Sequence, residues 1–290
     1  MTPSVEDVAL WYHTLELPDN VVTPGWFDLR GIVDKLPWPD VRGRRCLDVG
    51  TYDGFFAFEL ERRGAAEVVA TDIGSHVEWD LPEASRVESG HKLAAVAGEK
   101  GLGFEVARRA LGSKVHKQIV NVYDLSPANL GRFDVVVCGS LMLHLTNPIR
   151  ALEAIHSVCA GCFLSIEQIS LRLTTRFRRR PVAEMRLDST LGQWWVPNMA
   201  GHARLARVAG FEVDRQVGPF VEPFGVSHPP RGSGLRPHLT ALARRALAGG
   251  DGVPHAALLA SPVPRSAPTA SQSPEPRVRP LDRPETGTVR

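Results

Sequence analysis

The chain lacks most of the features that would take it out of the range of ordinary enzymes. It has only four cysteines in 290 residues, Cys46, Cys138, Cys159 and Cys162. All four stand in or beside apolar stretches, and no second pair accompanies Cys159-Ala160-Gly161-Cys162 to complete a tetrahedral zinc site. They read as reduced thiols inside a core, and no metal is expected. No stretch approaches the roughly 20 apolar residues that a membrane-spanning helix needs, and the first seven residues carry neither a basic start nor an apolar run. The expectation is a soluble, cytoplasmic protein with no membrane partner. Charge of one sign is also lacking. Lys plus Arg number 34 against 32 Asp plus Glu, and beyond Ser261 five Arg face three acids, so the small excess belongs to that stretch. Proteins that neutralise many phosphates carry a strong basic surplus, so bulk charge gives RNA or DNA no support as a partner.

What is present is an alternation of two apolar periods. Short apolar runs at 45–49, 67–71, 116–122, 133–138 and 162–166 read as strands, and the patterns at 55–63, 104–111 and 149–158 read as helices. Strand and helix in turn imply an α/β fold, a doubly wound, mostly parallel sheet with helices on both faces. Segments 210–213 and 255–260 close the sheet to seven strands, with a helix near 239–247 between them. Residues 1–43 form a lead-in, in which Val5, Val8, Ala9 and Tyr12 predict a helix before an irregular, aromatic-rich run with Pro18, Pro24 and Pro37. The core domain spans 44–261 and carries a cap insert at about 170–198. Residues 262–290 are rich in Pro, Ser, Thr, Arg and Glu and predict a disordered tail, since they have little apolar surface to offset ordering entropy.

In such a sheet the ligand lies beyond the carboxyl ends of the strands, where strand order reverses. The first strand ends at Asp48, followed by Gly50-Thr51-Tyr52-Asp53-Gly54 and an apolar helix. Gly50 permits a tight turn and Gly54 a close approach. A dinucleotide fingerprint needs G-x-G-x-x-G, but Tyr52 stands at the second glycine, which argues against a nicotinamide oxidoreductase. Asp48 and Asp53 would repel a pyrophosphate and suit a ligand bearing an ammonium and a sulfonium. The second strand leads to Asp72, about 20 residues on, where an acid can accept both ribose hydroxyls. After the third strand, Asp124 could accept from an adenine amino group, with Tyr123 flanking the ring.

These residues resemble the class I S-adenosylmethionine-dependent methyltransferases, a Rossmann-like family, over roughly residues 44–213. The segments that carry the likeness are Cys46-Leu47-Asp48-Val49-Gly50-Thr51-Tyr52-Asp53-Gly54-Phe55 and the run from Phe133 to Leu145. The resemblance implies S-adenosyl-L-methionine as cofactor, with Gly139, Ser140 and Leu141 along its methionine moiety. The lead-in Trp11-Tyr12-His13-Thr14-Leu15-Glu16-Leu17, Thr23-Pro24-Gly25-Trp26-Phe27-Asp28 and the cap's Trp194-Trp195-Val196-Pro197-Asn198 are similar to a subgroup containing the wobble-uridine tRNA carboxymethyltransferases. Leu143 stands where those enzymes have a tyrosine, and their W-R-K-G-P-F type segment is missing, which favours ordinary methyl transfer.

Methyl transfer needs alignment, exclusion of water and, for a weak nucleophile, a base. His13, His144 and Glu167 are the catalytic candidates; Glu167 could instead hold a substrate amine or tie down the cap. Trp11, Trp26, Trp194 and Trp195 could form an aromatic lid or simply pack cap on core. Arg172, Arg176, Arg178, Arg179 and Arg180 could grip phosphate or remain a solvated face. The function expected is methylation of a small-molecule acceptor. The alternatives are tRNA wobble-uridine modification and a non-catalytic, Rossmann-like nucleoside-binding protein.

Overall fold

The computed structural model describes residues 2–83, 86–186, 192–229 and 235–264. Seven strands form one sheet: β1 (Arg45–Val49), β2 (Glu67–Asp72), β3 (His116–Ile119), β4 (Phe133–Gly139), β5 (Cys159–Gln168), β6 (Phe211–Pro223) and β7 (Gly252–Pro262). The central strands β1 and β4 are almost continuously apolar because both of their faces are covered. The strand order is β6-β7-β5-β4-β1-β2-β3. β1 to β5 run parallel, with Leu47 opposite Val136 and Gly139 opposite Ile166. β7 pairs antiparallel with both β5 and β6. Strand order therefore reverses at β1, and the crevice between its carboxyl end and that of β4 is where a ligand is accommodated.

The helices are α1 (Phe55–Arg62), α2 (Arg86–Ala97), α3 (Leu102–Ala110), α4 (Pro127–Leu130), α5 (Pro148–Val158), α6 (Leu171–Arg176), α7 (Met199–Val208) and α8 (Leu235–Ala248). One core layer joins α1 and α3 to the sheet through Phe55, Phe58, Leu60, Phe104 and Val106. The other joins α5 and α7 through Leu152, Ile155 and Ala206, with Phe163 and Phe211 from the strands. α1 is buried at six successive residues, Phe55 to Leu60, which a surface helix would not be. The lead-in covers its outer side, with Trp11, Phe27 and Leu29 in the same cluster.

The N-terminal helix expected from Val5, Val8, Ala9 and Tyr12 is not formed. A 3-10 turn, Val5–Asp7, closed by Ser4 and Asp7, is followed by the strand Trp11–His13. That strand pairs in parallel with Gly25–Phe27 and alternates buried, half-buried, buried. The period of two beats the helical one because Trp11 and His13 bury on one side and backbone pairing with Gly25–Phe27 satisfies the peptide groups. Gly25 permits this approach: a Cβ there would lie 2.2 Å from the Thr14 nitrogen. The Asp28 N–H donates to the Pro223 carbonyl and the Gly225 N–H to the Trp26 carbonyl, so the lead-in is tied to the end of β6.

The sequence patterns also left 72–103 unassigned, where α2 stands. The tail expectation falls mostly on residues 265–290, outside those described.

Candidate active site

Beyond the carboxyl ends of β1, β2 and β4 lies a cavity of about 260 Å³. Its walls include Val49, Gly50 and Tyr52 at the end of β1 and in the turn after it, Asp72 and Ile73 at the end of β2, Val120 to Tyr123 after β3, and Gly139 to Leu141 at the end of β4 and beyond. Tyr12, His13, Trp79, Lys100 and His144 also line it. The local backbone explains the concavity. Gly50 has φ +76°, and a Cβ there would press on Leu141 at 3.0 Å. Ser140 is held at φ +49°, with its N–H donating to the Ile166 carbonyl at 2.7 Å.

Of the residues expected at the cofactor, Gly50, Asp72, Tyr123, Gly139, Ser140 and Leu141 stand in this wall. Four others do not. Gly54 has φ +95° and starts α1; its missing Cβ makes room for the Phe58 ring, which would lie 2.3 Å away, so it serves packing. Asp53 is buried and accepts from the His13 N–H at 2.7 Å and from His13 Nδ1 at 2.6 Å, which fastens the lead-in to the turn. Asp124 is exposed, and Asn121 of the same loop lines the cavity instead. Asp48 is buried behind the turn with Oδ2 lacking a hydrogen-bond partner, and burial pushes its carboxyl up to about 7.

Asp72 is more crowded than the sequence suggests. Its Oδ2 accepts from the Tyr52 N–H at 3.0 Å and pairs with Lys100, while Oδ1 accepts from the Ile73 N–H at 2.8 Å. Each carboxylate oxygen has about two acceptor sites, so one remains on Oδ1. Lys100 also lies 4.5 Å from the centre of the Tyr52 ring. Tyr123 presents its ring to the cavity and donates its hydroxyl to Asp80 at 2.7 Å.

The catalytic candidates separate. His13 and His144 line the cavity, whereas Glu167 does not. Burial disfavours charge on His13, but Asp53 outweighs it and holds the imidazole above its ordinary value. Glu167 is 2 % exposed and accepts from the Leu141 and Met142 N–H groups at 3.3 and 3.2 Å. Burial pushes its carboxyl up to about 8. It shapes the loop after β4 and does not face the cavity.

A second cavity, of about 630 Å³, adjoins the first and shares Tyr12, Tyr52, Trp79, Ser140 and His144 with it. Trp26, Phe27, Leu93, Val96 and Leu143 make it largely apolar, and its polar wall residues include Lys92, Gln168, Glu222 and His255. Sequence reasoning missed Trp79, Glu222 and His255. His255 opens a segment read only as sheet closure, and Glu222 lies beyond the other such segment, 210–213, because β6 runs on to Pro223. Of the four tryptophans proposed for a lid, only Trp26 lines either cavity. Trp11 is 1 % exposed in the core, and the Trp194 indole N–H donates to the Asp80 carbonyl at 2.6 Å. The cap pair Trp194 and Trp195 therefore fastens the insert to neighbouring loops, with the Trp195 indole on the Thr146 carbonyl at 3.4 Å.

The first wall suits a nucleoside: an acid with a free acceptor site at the end of β2, apolar sides from Ile73, Val120, Val122 and Leu141, and a glycine cradle. Among the described residues, no group of three or more His, Cys, Asp or Glu could hold a metal ion, and no helix is long and apolar enough to cross a membrane.

The family profile described as a methyltransferase domain matches residues 28–216. A ubiquinone biosynthesis O-methyltransferase of Neisseria meningitidis serogroup C is 30 % identical over 115 residues, 40 % of this chain and 39 % of that protein. A tRNA U34 carboxymethyltransferase of Campylobacter hominis is 21 % identical over 142 residues, 49 % of this chain and 41 % of that protein. The chain thus spans about two fifths of the length of these curated relatives. A chain from the complex of the Haloferax volcanii Trm112 methyltransferase activator shares the fold, with a TM-score of 0.52 at 14 % identity, covering 82 % of this chain and 89 % of that one. With more than half of its length matched by that profile, the chain belongs to the methyltransferase-domain family.

Proposed function

We propose that this protein is an S-adenosylmethionine-dependent methyltransferase whose acceptor is a small molecule held in the second cavity. The observation that carries this reading is the pair of adjoining cavities with five wall residues in common. A volume of about 630 Å³ with largely apolar walls and a few polar groups is the usual character of a small-ligand site.

The roles follow from the walls. Asp72 receives a ribose hydroxyl on its remaining Oδ1 site. Ile73, Val120, Leu141 and the Tyr123 ring flank the base, and Gly50 with the backbone of Gly139 to Leu141 accommodates the methionine part. The cofactor supplies an electrophilic methyl group on a sulfonium. Tyr12, Tyr52 and Trp79 stand at the junction, where ring faces favour a cation and keep water away. His144 lies in both walls and is placed to orient the acceptor. Calorimetric titration with S-adenosylmethionine and with NAD tests the cofactor half. Saturable binding of the first and none of the second is expected; the reverse would overturn it.

One observation favours a second reading, modification of tRNA. Arg178, Arg179, Arg204 and Arg207 are exposed along one open groove with Thr174 and Thr175. A gel-shift with bulk tRNA at near-physiological salt decides: the small-molecule reading expects no retained band.

A further inference from the structure

β6 and β7 pair with Phe220 opposite His255 and Glu222 opposite Val253. Glu222 and His255 are thus diagonal neighbours on one face of the sheet. Both are buried, at 3 % and 2 % exposure, yet both line the second cavity. His255 Nε2 lies 3.2 Å from Glu222 Oε2 and 2.9 Å from Ser140 Oγ. His255 Nδ1 lies 2.8 Å from the Val253 carbonyl oxygen, which can only accept, so Nδ1 carries a proton and Nε2 is the nitrogen where one can come and go. Glu222 Oε2 makes no hydrogen bond, although its charge sits beside the imidazole. Ser140 lines both cavities, at the boundary a methyl group would cross.

A base poised in this way serves an acceptor that arrives neutral and must lose a proton. A carboxylate would meet Glu222 with like charge, and an amine would be held by it as an unreactive ammonium. The ring-lined walls, Tyr12, Trp26, Phe27 and Trp79, suit a planar aromatic body. We propose that His255, backed by Glu222 and reached through Ser140 Oγ, takes the proton from a phenol-type hydroxyl in the second cavity. The proposal rests on reading that cavity as the acceptor site.

The step balances as follows. The acceptor O–H bond breaks and its proton passes to Ser140 Oγ as the serine proton passes to His255 Nε2, so the serine is unchanged. The acceptor oxygen's electron pair forms the bond to the methyl carbon, the carbon–sulfur pair stays on sulfur, and one proton is released overall. Glu222 stabilises the imidazolium. Other titratable groups share this field: Tyr12, His13 and Glu167 feel the Glu222 charge, and His202 feels that of His255. Among the described residues, only His255 contacts both Ser140 Oγ and Glu222.

Binding of 4-nitrophenol tests this without turnover, because its anion has its own absorption band. One pH unit below the phenol's free pKa, the wild-type protein should bind it as the phenolate. The phenolate fraction should fall at least tenfold in Glu222→Gln, His255→Asn and Ser140→Ala. Equal phenolate in folded variants would overturn the assignment. The wild type alone provides a second measurement, since carbon-13 labelled histidine should show one imidazole gaining a proton as the phenol binds. No histidine changing its state would also overturn it. If the wild type binds no phenol and labelled methyl groups reach other small molecules, the phenol assignment fails while the two-cavity reading stands. If labelled methyl groups reach no small molecule, both fail.

Discussion

His13 Nδ1 lies 2.6 Å from Asp53 Oδ1, and the His13 backbone N–H donates to the other carboxylate oxygen at 2.7 Å. One carboxylate thereby joins the lead-in to the turn after β1 across 40 positions of sequence, with both side chains buried. Removing one partner of such a pair costs about 3–5 kcal/mol. Asp53→Ala should therefore lower the melting temperature and speed amide exchange in Trp11–His13 and Gly25–Phe27. Because the folded His13 pKa is raised, its contribution is full below the ordinary value and is lost as pH rises through the folded one. The stability gap between wild type and variant should narrow towards alkaline pH; a gap that widens would contradict the pairing.

Gly54 marks a different contribution of the same turn. Any Cβ there meets the Phe58 ring at 2.3 Å and Phe104 at 2.9 Å, on a backbone with φ +95°. Gly54→Ala should cost about 2–5 kcal/mol from overpacking plus left-handed strain. Chemical denaturation checks this. A change of less than 1 kcal/mol would show that α1 can shift away from the turn at little cost.

Burial raises Glu167 to about 8 and Asp48 to about 7, far above their ordinary values. Between the unfolded and folded values the folded protein holds more protons, so stability falls as pH rises from about 4 through about 8. Glu167→Gln keeps an oxygen for the Leu141 and Met142 N–H groups and removes its share of that slope, on the order of a few kcal/mol at most. Denaturation curves at pH 5 and pH 8.5 measure it. An unchanged slope would place the titration elsewhere.

The central sheet was legible because fully buried parallel strands are written as unbroken apolar runs: β1 matches its expected bounds, Arg45–Val49. The lead-in was not, because residues such as Val5, Val8 and Tyr12 satisfy a helical period while tertiary pairing with Gly25–Phe27 imposes a strand. In the site, glycines and strand-end acids announced the turn after β1, but sequence cannot say which way a side chain is turned. Asp53 therefore read as a cofactor contact although it points to His13. Lys100 and His255 carried no motif, and only the folding of α3's approach and of β7 brings them to the cavities.

Asp72 should be the most sensitive cofactor contact, since a charge-assisted hydrogen bond contributes about 1.5–3 kcal/mol. Asp72→Asn should weaken S-adenosylmethionine binding roughly tenfold or more by calorimetry. Lys100→Met, which leaves Asp72 short of a buried partner, should lower the melting temperature of the free protein. Unchanged affinity in folded Asp72→Asn would remove the ribose from the end of β2.

The most direct test of the account follows a labelled methyl group. The protein is incubated with methyl-tritiated S-adenosylmethionine, a small-metabolite extract and bulk tRNA, and the fractions are separated by size. The adjoining cavities predict label in the small-molecule fraction and none in tRNA. Label confined to tRNA would contradict the small-molecule acceptor and shift attention to the groove of Arg178, Arg179, Arg204 and Arg207.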